Sequence, residues 1–371
     1  MISALRKERQ WRLIDRYFTR LFASVKSPLV ILSEAKIKHA RGQISEAITL
    51  MSCFNRFIDG EKTEMDENFE GIYTPDDKLR ARLLRIQGNM LYQNSGSNCE
   101  SSLESAKKCF KRSLELNKQD YRSWAGLGYV SIKMINNCGI NDAQLKSTLA
   151  NDVVISFHKA TQIHPESSLE FLCQLLSVFF QYGDNIDVKS FVSDLTSLPA
   201  TTIAQVVPQL VGHIAHSSEK VRNIVRSILE CYGISHFETV FYSLNFSCLS
   251  SNEQEQKNSN IKNKEKEMEY LKASIANKIM QKIKLPHLQM HADACLFVDG
   301  LRMAAINWCE QWIPTLGLAH RFISMNDIKS LRKVLNEQFR IVAKPRCEFD
   351  SLFAKKFSSK IKDCRILLES N

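Results

Sequence analysis

The sequence predicts an all-α protein in which an irregular α-solenoid of helical pairs is followed by a partial helical bundle. Apolar residues recur at spacings of three and four through most of the chain, the period of an amphipathic helix. Only 13 Gly and 8 Pro occur among 371 residues, too few for a turn-rich β fold. We expect a helical-repeat region over residues 1–249, a polar low-complexity linker over 250–270, and a bundle with its entry segment over 271–371.

The N-terminal part predicts two or three amphipathic helices over residues 3–57. Pro28 interrupts the pattern, and Gly42 suits a tight turn between two later helices because it has no Cβ. Residues 59–77 are acidic and contain Gly60, Gly71 and Pro75, so we expect an exposed loop there.

The clearest repeat signal lies at residues 103–134. Small and large apolar residues alternate at helical spacing on both sides of a turn: Ala106, Phe110, Leu114, then Trp124, Leu127, Gly128. This pattern is typical of a TPR-like helical pair. Because the other matches are partial, the sequence favours an irregular solenoid of TPR- and HEAT-like pairs over a consensus array.

The rest of the solenoid continues the same rhythm. Pro165 and Ser167 signal the start of a helix. Its predicted buried face consists of Leu169, Leu172, Leu175, Leu176 and Phe179.

The C-terminal part predicts three helices. In the first, apolar residues step onto one face: Leu301, Ala304, Ala305, Trp308 and Trp312. Pro314 should kink this helix. The second should begin at Asn326 or Asp327 and turn inward Ile328, Leu331, Val334 and Leu335. The third should bury Leu352, Phe353, Phe357, Ile361 and Cys364.

Composition limits the kinds of binding partner and the cellular compartment that we expect for this protein. The net charge is +10, and residues 301–371 hold 13 basic against 7 acidic residues, leaving +6 there. This surplus would suit an anionic lipid surface, although a solvated Lys-rich helical surface explains it more simply. The absence of a nucleic-acid-binding motif argues against nucleic acid. Eleven Cys without a CxxC pair, and no secretory leader or long apolar run, indicate a cytoplasmic protein, with endomembrane surfaces and the nucleus as further locations.

Two segments resemble target-of-rapamycin (TOR) kinases. The stretch from 276 to 312 is similar to the approach and first helix of their FRB (rapamycin-binding) domain, A-N-K-I-L…L-I-R-V-A-I-L-W-x-E-x-W, at Ala276, Asn277, Lys278, Ile279, Arg302, Ala305, Ile306, Trp308, Glu310 and Trp312. The stretch from 180 to 244 resembles the end of their FAT domain at Phe180, Tyr182, Gly183, Gln205, Val206, Pro208, Gln209, Leu210 and Ile214. Ile203 stands where the family has Trp, and Tyr242-Ser243-Leu244 stands for its Tyr-Pro-Leu.

The resemblance implies a set of cleft residues. The positions that face the ligand in the FRB cleft would be Leu316, His320, Ser324, Trp308 and Trp312. Leu316 keeps the family's leucine, whereas His320 replaces a small serine and Ser324 replaces a phenylalanine. A bulkier imidazole should block rapamycin sterically, so we expect binding of the rapamycin–immunophilin pair to be lost. The sequence ends at Asn371, before a counterpart of the family's fourth helix, so we expect a truncated bundle.

The resemblance also implies a non-catalytic role. This region would be the scaffold and substrate-gating part of a TOR-type serine/threonine kinase in nutrient and growth signalling. Its partners would be its own kinase domain, TOR-complex subunits and protein substrates at the FRB, with ATP and Mg held in the kinase domain. The chain itself shows no kinase motif, because Gly126-Leu127-Gly128 and Asp299-Gly300 both lie in helical patterns. We expect neither catalytic residues nor a cofactor in it.

One metal-like spacing is present on the approach to the bundle. His287, His291 and Cys295 are four residues apart, but Leu288 stands where a zincin requires Glu. We expect no metal site, since residues that enter a helix after Pro286 explain the pattern.

Two alternatives remain open. The FAT–FRB region of the related nonsense-mediated-decay kinase is one, although the short spacing from Trp312 to Phe353 argues against it. A free-standing TPR-like adaptor without kinase activity is the other.

Overall fold

The structure is a computed structural model that describes residues 6, 8–22, 25, 27–62, 65–95, 100–139, 142–185, 188–254, 263–305, 308–345 and 348–370. Every regular element in these ranges is a helix, so the predicted all-α class is confirmed. The chain divides into two compact units, Met1–Ile283 and Lys284–Asn371.

The first unit begins with α1 (Trp11–Phe22), α2 (Pro28–Ala40), α3 (Ile44–Ile58), the short α4 (Asp66–Phe69) and α5 (Asp77–Asn94). The Ser27 hydroxyl accepts a hydrogen bond from the amide of Leu29 and caps α2, where proline occupies a first-turn position that needs no amide hydrogen. Gly42 turns the chain with φ +88°, a conformation that favours glycine.

The acidic segment 59–77 is more than the exposed loop that the sequence predicted. It contains α4, and Phe69 is fully buried with its ring 5.1 Å from that of Phe54 and 5.5 Å from that of Phe57. Asp59 forms ion pairs with Arg80 (2.9 Å) and Arg112 (2.6 Å). The acidic composition of the segment therefore did not reveal that Phe69 is buried in the core or that Asp59 is paired with two arginines.

The next helices are α6 (Glu100–Leu116), α7 (Tyr121–Asn137), α8 (Ala143–Ile163) and α9 (Ser168–Tyr182), each packed on its neighbour in sequence. The Phe110 ring of α6 is fully buried against Gly88 of α5 and Gly126 of α7. A 3-10 turn at Pro165–Ser167 precedes α9. Of the predicted α9 face, Leu169 is 45% exposed, while Leu172, Leu175, Leu176 and Phe179 are buried.

The first unit ends with α10 (Val188–Thr196), α11 (Ala200–Ala204), α12 (Val207–Gly212), α13 (Glu219–Ser235), α14 (Phe237–Gln254) and α15 (Asn263–Ile283), with a 3-10 turn at Gly183–Asn185 before α10. The predicted polar linker is therefore helical at both ends, while residues 255–262 lie outside the described part.

The predicted entry segment of the bundle packs in the first unit instead. Ala276 and Ile279 of α15 are fully buried, and α15 packs on α13 and α14. Lys282 lies 2.8 Å from Glu230, which Arg226 also contacts at 2.6 Å. Buried apolar contacts and this ion-pair cluster hold α15 to α13.

The second unit contains a 3-10 turn at Leu285–His287, then α16 (Leu288–Ala305), α17 (Trp308–Ser324), α18 (Ile328–Val342) and α19 (Glu348–Ser370). The sequence predicted one buried face from Leu301 to Trp312, and this prediction is wrong at Leu301, which is 52% exposed. Ile306, Asn307 and the side chains of Ala304 and Ala305 lie outside the described part. Ile328 and Leu352 are also exposed, at 47% and 57%. No helix in the described ranges is long and apolar enough to cross a membrane.

Candidate functional site

The core of the second unit forms around two tryptophans of α17. Trp308 is 1% and Trp312 is 8% exposed. The Phe353 ring of α19 lies edge-on to Trp308 at 6.0 Å, and the Phe339 ring of α18 lies 6.1 Å from Trp312. Neither indole N–H has a hydrogen-bond partner among the described residues. Both side chains are therefore core residues, which corrects their assignment to the ligand-facing set.

The other three assigned residues lie on the outer side of the same helix. Leu316 is 54% exposed, and His320 and Ser324 follow it at intervals of four residues, both exposed. The Ser324 hydroxyl donates to the His320 carbonyl oxygen at 2.9 Å, so it is held by its own helix.

Two isoleucines extend this exposed surface. Ile313 is 70% and Ile323 is 62% exposed, and their spacing places them in the same angular sector of the helix. Sequence reasoning missed them, although they continue the three- and four-residue period. We call Ile313, Leu316, His320, Ile323 and Ser324 the α17 face. It offers three branched aliphatic side chains around one imidazole, a surface suited to an apolar partner.

The predicted kink site lies inside this helix. Pro314 falls within α17, which runs without interruption from Trp308 to Ser324. Thr315, the next residue, is 7% exposed and faces the core. The proline therefore lies on the outer side of the helix, beside Ile313.

A second candidate site is a basic cavity of about 420 Å³ in the first unit. Its basic lining comes from separate parts of the chain. Arg6 precedes α1, Lys36 and His39 belong to α2, Arg82 and Arg85 to α5, and Arg122 to α7. The Asp120 carboxylate lies 2.8 Å from Arg85 Nε. Sequence reasoning missed this cavity because its cations are up to 116 positions apart, from Arg6 to Arg122.

Burial and neighbouring positive charges lower the pKa of two cations in the basic cavity. Burial, together with the nearby charges of Arg82, Arg6 and Arg85, lowers the pKa of Lys36 to about 8, and burial is the largest of these causes. Burial also lowers the pKa of Arg85, against the opposing effect of Asp120. These shifts arise from like charges held together in a partly dehydrated space, which is the condition that a bound anion would relieve.

The histidine and cysteine spacing on the approach to the bundle falls on α16. Cys295 Sγ lies 3.7 Å from His291 Nε2 and 3.9 Å from its Nδ1. Burial raises the pKa of the Cys295 thiol, helped by the charge of Asp299, and burial lowers the pKa of His291, helped by Lys284. Within the described ranges, no group of three or more His, Cys, Asp or Glu side chains is arranged to hold a metal ion.

The two glycine-containing fragments have structural positions. Gly128 lies inside α7, where a Cβ would come within 2.7 Å of the Phe157 ring, so its role is close helix packing. Asp299 and Gly300 lie inside α16. Neither fragment forms a phosphate-binding loop.

Comparison with known proteins identifies the class of region first. Residues 301–370 match the model of the FKBP12-rapamycin binding domain, so the second unit carries an FRB domain. The similar proteins are TOR kinases. The serine/threonine-protein kinase tor1 of Schizosaccharomyces pombe is 23% identical over 274 residues, which cover 72% of this chain and 11% of that kinase. The serine/threonine-protein kinase mTor of Drosophila melanogaster is 20% identical over 331 residues, covering 83% and 13%.

A third relative agrees. The target of rapamycin homolog of Caenorhabditis elegans is 26% identical over 241 residues, covering 62% of this chain and 8% of that protein. The chain is therefore a region related to TOR kinases, with an FRB domain at its C-terminal end. It spans 8 to 13% of the length of these three relatives.

Proposed function

We propose that this chain is the FAT–FRB scaffold and substrate-gating region of a TOR-type serine/threonine kinase acting in nutrient and growth signalling. The observation that carries the proposal is the α17 face, an exposed aliphatic surface on a helix that two buried tryptophans fix to the core of the second unit. Such a rigid, exposed apolar strip can hold a protein substrate without taking part in chemistry.

In this proposal the chemistry belongs to a kinase domain that the 371 residues do not include. That domain would bind ATP and Mg, and the solenoid would contact it and the TOR-complex subunits. The basic surplus of residues 301–371 would add attraction to anionic lipid. The match to TOR kinases supports this interpretation over the nonsense-mediated-decay kinase and over a free-standing adaptor.

We also propose that the α17 face no longer accepts rapamycin with its immunophilin. His320 is exposed between Leu316 and Ile323, so an imidazole stands in the middle of the aliphatic strip. A polar ring there would have to lose water without gaining a matched partner from an apolar drug. Calorimetric titration of the full chain with the drug–immunophilin pair should give no heat of binding, and tight binding would contradict the proposal.

The gating role is tested in the kinase polypeptide that contains this chain. Leu316→Asp should raise KM for a protein substrate and leave kcat for a short peptide unchanged, because only the larger substrate reaches the α17 face. Ile366→Asp is the matched control, since Ile366 is 53% exposed against 54% for Leu316 and lies on α19. Equal effects of the two variants, or a native polypeptide without kinase activity, would refute the role.

The basic cavity supports a second function, the binding of a multiply charged anion such as a polyphosphate. Five cationic side chains line a cavity large enough for a small-molecule ligand, and the Asp120 carboxylate lies beside Arg85. Arginine is well suited to phosphate because its planar fork can donate two hydrogen bonds at once. The anion would link α2, α5 and α7 and offset their mutual repulsion.

Inorganic tripolyphosphate is a suitable probe for this function. It should bind the full chain in calorimetry and raise its melting temperature, and Arg82→Gln should abolish both effects. Lys111→Gln, at an exposed lysine of α6 outside the basic cavity, should abolish neither. Equal loss in the two variants would show diffuse attraction to a positive protein in place of a site.

A further inference from the structure

We propose that Lys36 is a modification site, where its primary amine reacts reversibly with dissolved carbon dioxide to form a carbamate inside the basic cavity. Lys36 lies on α2, is half-buried, and lines this cavity of about 420 Å³. The proposal uses the cavity that we assign to a bound anion, but it does not require a polyphosphate, because here the anion is made on the protein itself.

The charges around the amine are the first observation. The other charged or titratable side chains at the cavity are Arg6, His39, Arg82, Arg85 and Arg122, with Asp120 beside Arg85. Among the described residues, no ion pair joins Lys36 to a carboxylate. A carbamate would change the charge at this position from positive to negative, so repulsion from the arginines would become attraction.

The protonation state of the amine is the second observation. Only the neutral amine has the lone pair that can attack carbon dioxide. Burial, together with Arg82, Arg6 and Arg85, lowers the pKa of Lys36 from 10.5 to about 8. At a pH of about 7.5, roughly a quarter of such side chains are neutral, against about one in a thousand lysines of ordinary pKa.

The reaction needs no reactant besides carbon dioxide. The lone pair of Lys36 Nζ forms a bond to the carbon atom, the electrons of one C=O π bond move to its oxygen, and one N–H proton passes to solvent. The product is a planar monoanion with two carboxylate-like oxygens. Arg82 and Arg85, three positions apart on α5, share a side of that helix, and guanidinium groups match such oxygens with paired N–H donors.

Bicarbonate labelled with ¹³C is the probe, because it supplies labelled carbon dioxide at neutral pH. In buffer without phosphate, NMR of the full chain should show a carbamate carbon resonance distinct from that of bicarbonate. Any free α-amino group can react as well, so methylation of the carbamate with a trialkyloxonium salt, followed by peptide mass spectrometry, should assign the modification to Lys36.

Lys36→Arg should abolish this resonance and the trapped peptide, because it keeps the positive charge but removes the primary amine. Lys111→Arg is the matched control, since Lys111 is an exposed lysine of α6 outside the basic cavity, and it should change neither. Arg82→Gln should reduce trapping at Lys36 several-fold, because it removes a donor to the carbamate and a charge that keeps the amine neutral. Circular dichroism should show equal helix content in the three variants.

Tripolyphosphate separates this proposal from the anion-binding function. If both hold, added tripolyphosphate should reduce trapping at Lys36, since the two anions compete for the same arginines. Trapping that tripolyphosphate leaves unchanged would support the carbamate and argue against the anion site. No trapping at Lys36 in the absence of tripolyphosphate, or equal trapping at Lys36 and Lys111, would overturn the carbamate.

Discussion

A graded set of glycine substitutions around Phe110 tests the close packing of the solenoid. The Phe110 ring, fully buried on α6, contacts glycines of both neighbouring helices. A Cβ added at Gly126 would lie 2.4 Å from the ring, whereas one added at Gly88 would lie 3.1 Å from it. Gly88→Ala and Gly126→Ala therefore add the same methyl group next to the same ring, but the methyl group at position 126 overlaps the Phe110 ring far more.

The expected magnitudes follow from two opposing terms. Alanine in place of glycine inside a helix stabilises by about 1 kcal/mol. Overpacking of a buried site costs about 1–3 kcal/mol. At Gly88 the ring must move by a few tenths of an ångström, so the terms should nearly cancel. At Gly126 the overlap with ordinary carbon contact exceeds about 1 Å, so a net loss of about 2 kcal/mol is expected.

The assay is urea unfolding of the full chain followed by hydrogen exchange in peptides from α6 and α7, which reports the local free energy of opening. The double variant Gly126→Ala/Phe110→Leu should be less destabilised than the sum of its single variants, because the smaller side chain removes the overlap. If Gly126→Ala were as stable as Gly88→Ala, the inference from ring contact to packing would be refuted.

Three further predictions concern other parts of the molecule. Gln87→Leu should lower the free energy of unfolding in urea by about 1–3 kcal/mol, because Asn55 stays buried without the 2.6 Å hydrogen bond that its amide donates to Gln87. The double variant Asn55→Leu/Gln87→Leu should recover much of this stability. No recovery would argue against that pairing. Trp308→Ala should destabilise the second unit by about 3–5 kcal/mol, as measured by hydrogen exchange in α17–α19, whereas Leu316→Ala should change it little; a similar loss in both would place Leu316 in the core. Because the pKa of Lys36 is about 8 in the folded chain and 10.5 is its ordinary value, the unfolded state binds more protons in that interval and stability should rise with pH between them; Lys36→Met should flatten this rise, and an unchanged slope would exclude Lys36 as its source.

Local sequence signals predicted the parts of the fold that depend on nearest neighbours. Phe110 with its flanking small residues, the cap at Asp327 and the buried tryptophans all follow from helical period and cap chemistry. The errors at Leu169, Leu301, Ile328 and Leu352 have a common cause. Periodicity gives the direction of an apolar stripe but not its width, and these four residues are exposed.

The candidate sites were harder to predict. A loop that is acidic overall still buries Phe69, because one aromatic ring can fill a gap that composition does not reveal. The basic cavity joins Lys36, Arg82 and Arg122 across three helices, so no window of sequence contains it. On α17 the periodicity identified the helix correctly. Only the packing of the neighbouring helices shows that the two tryptophans are buried whereas Leu316 and His320 are exposed.

The buried indoles of α17 give the chain an internal reporter. The sequence has four tryptophans, of which Trp11 and Trp124 belong to the first unit and are half-buried. Trp308 and Trp312 are shielded from water, and their indole N–H groups have no acceptor in the described part of the chain, so they should emit at shorter wavelength. Fluorescence can therefore follow the melting of the second unit separately from that of the first, with no label added.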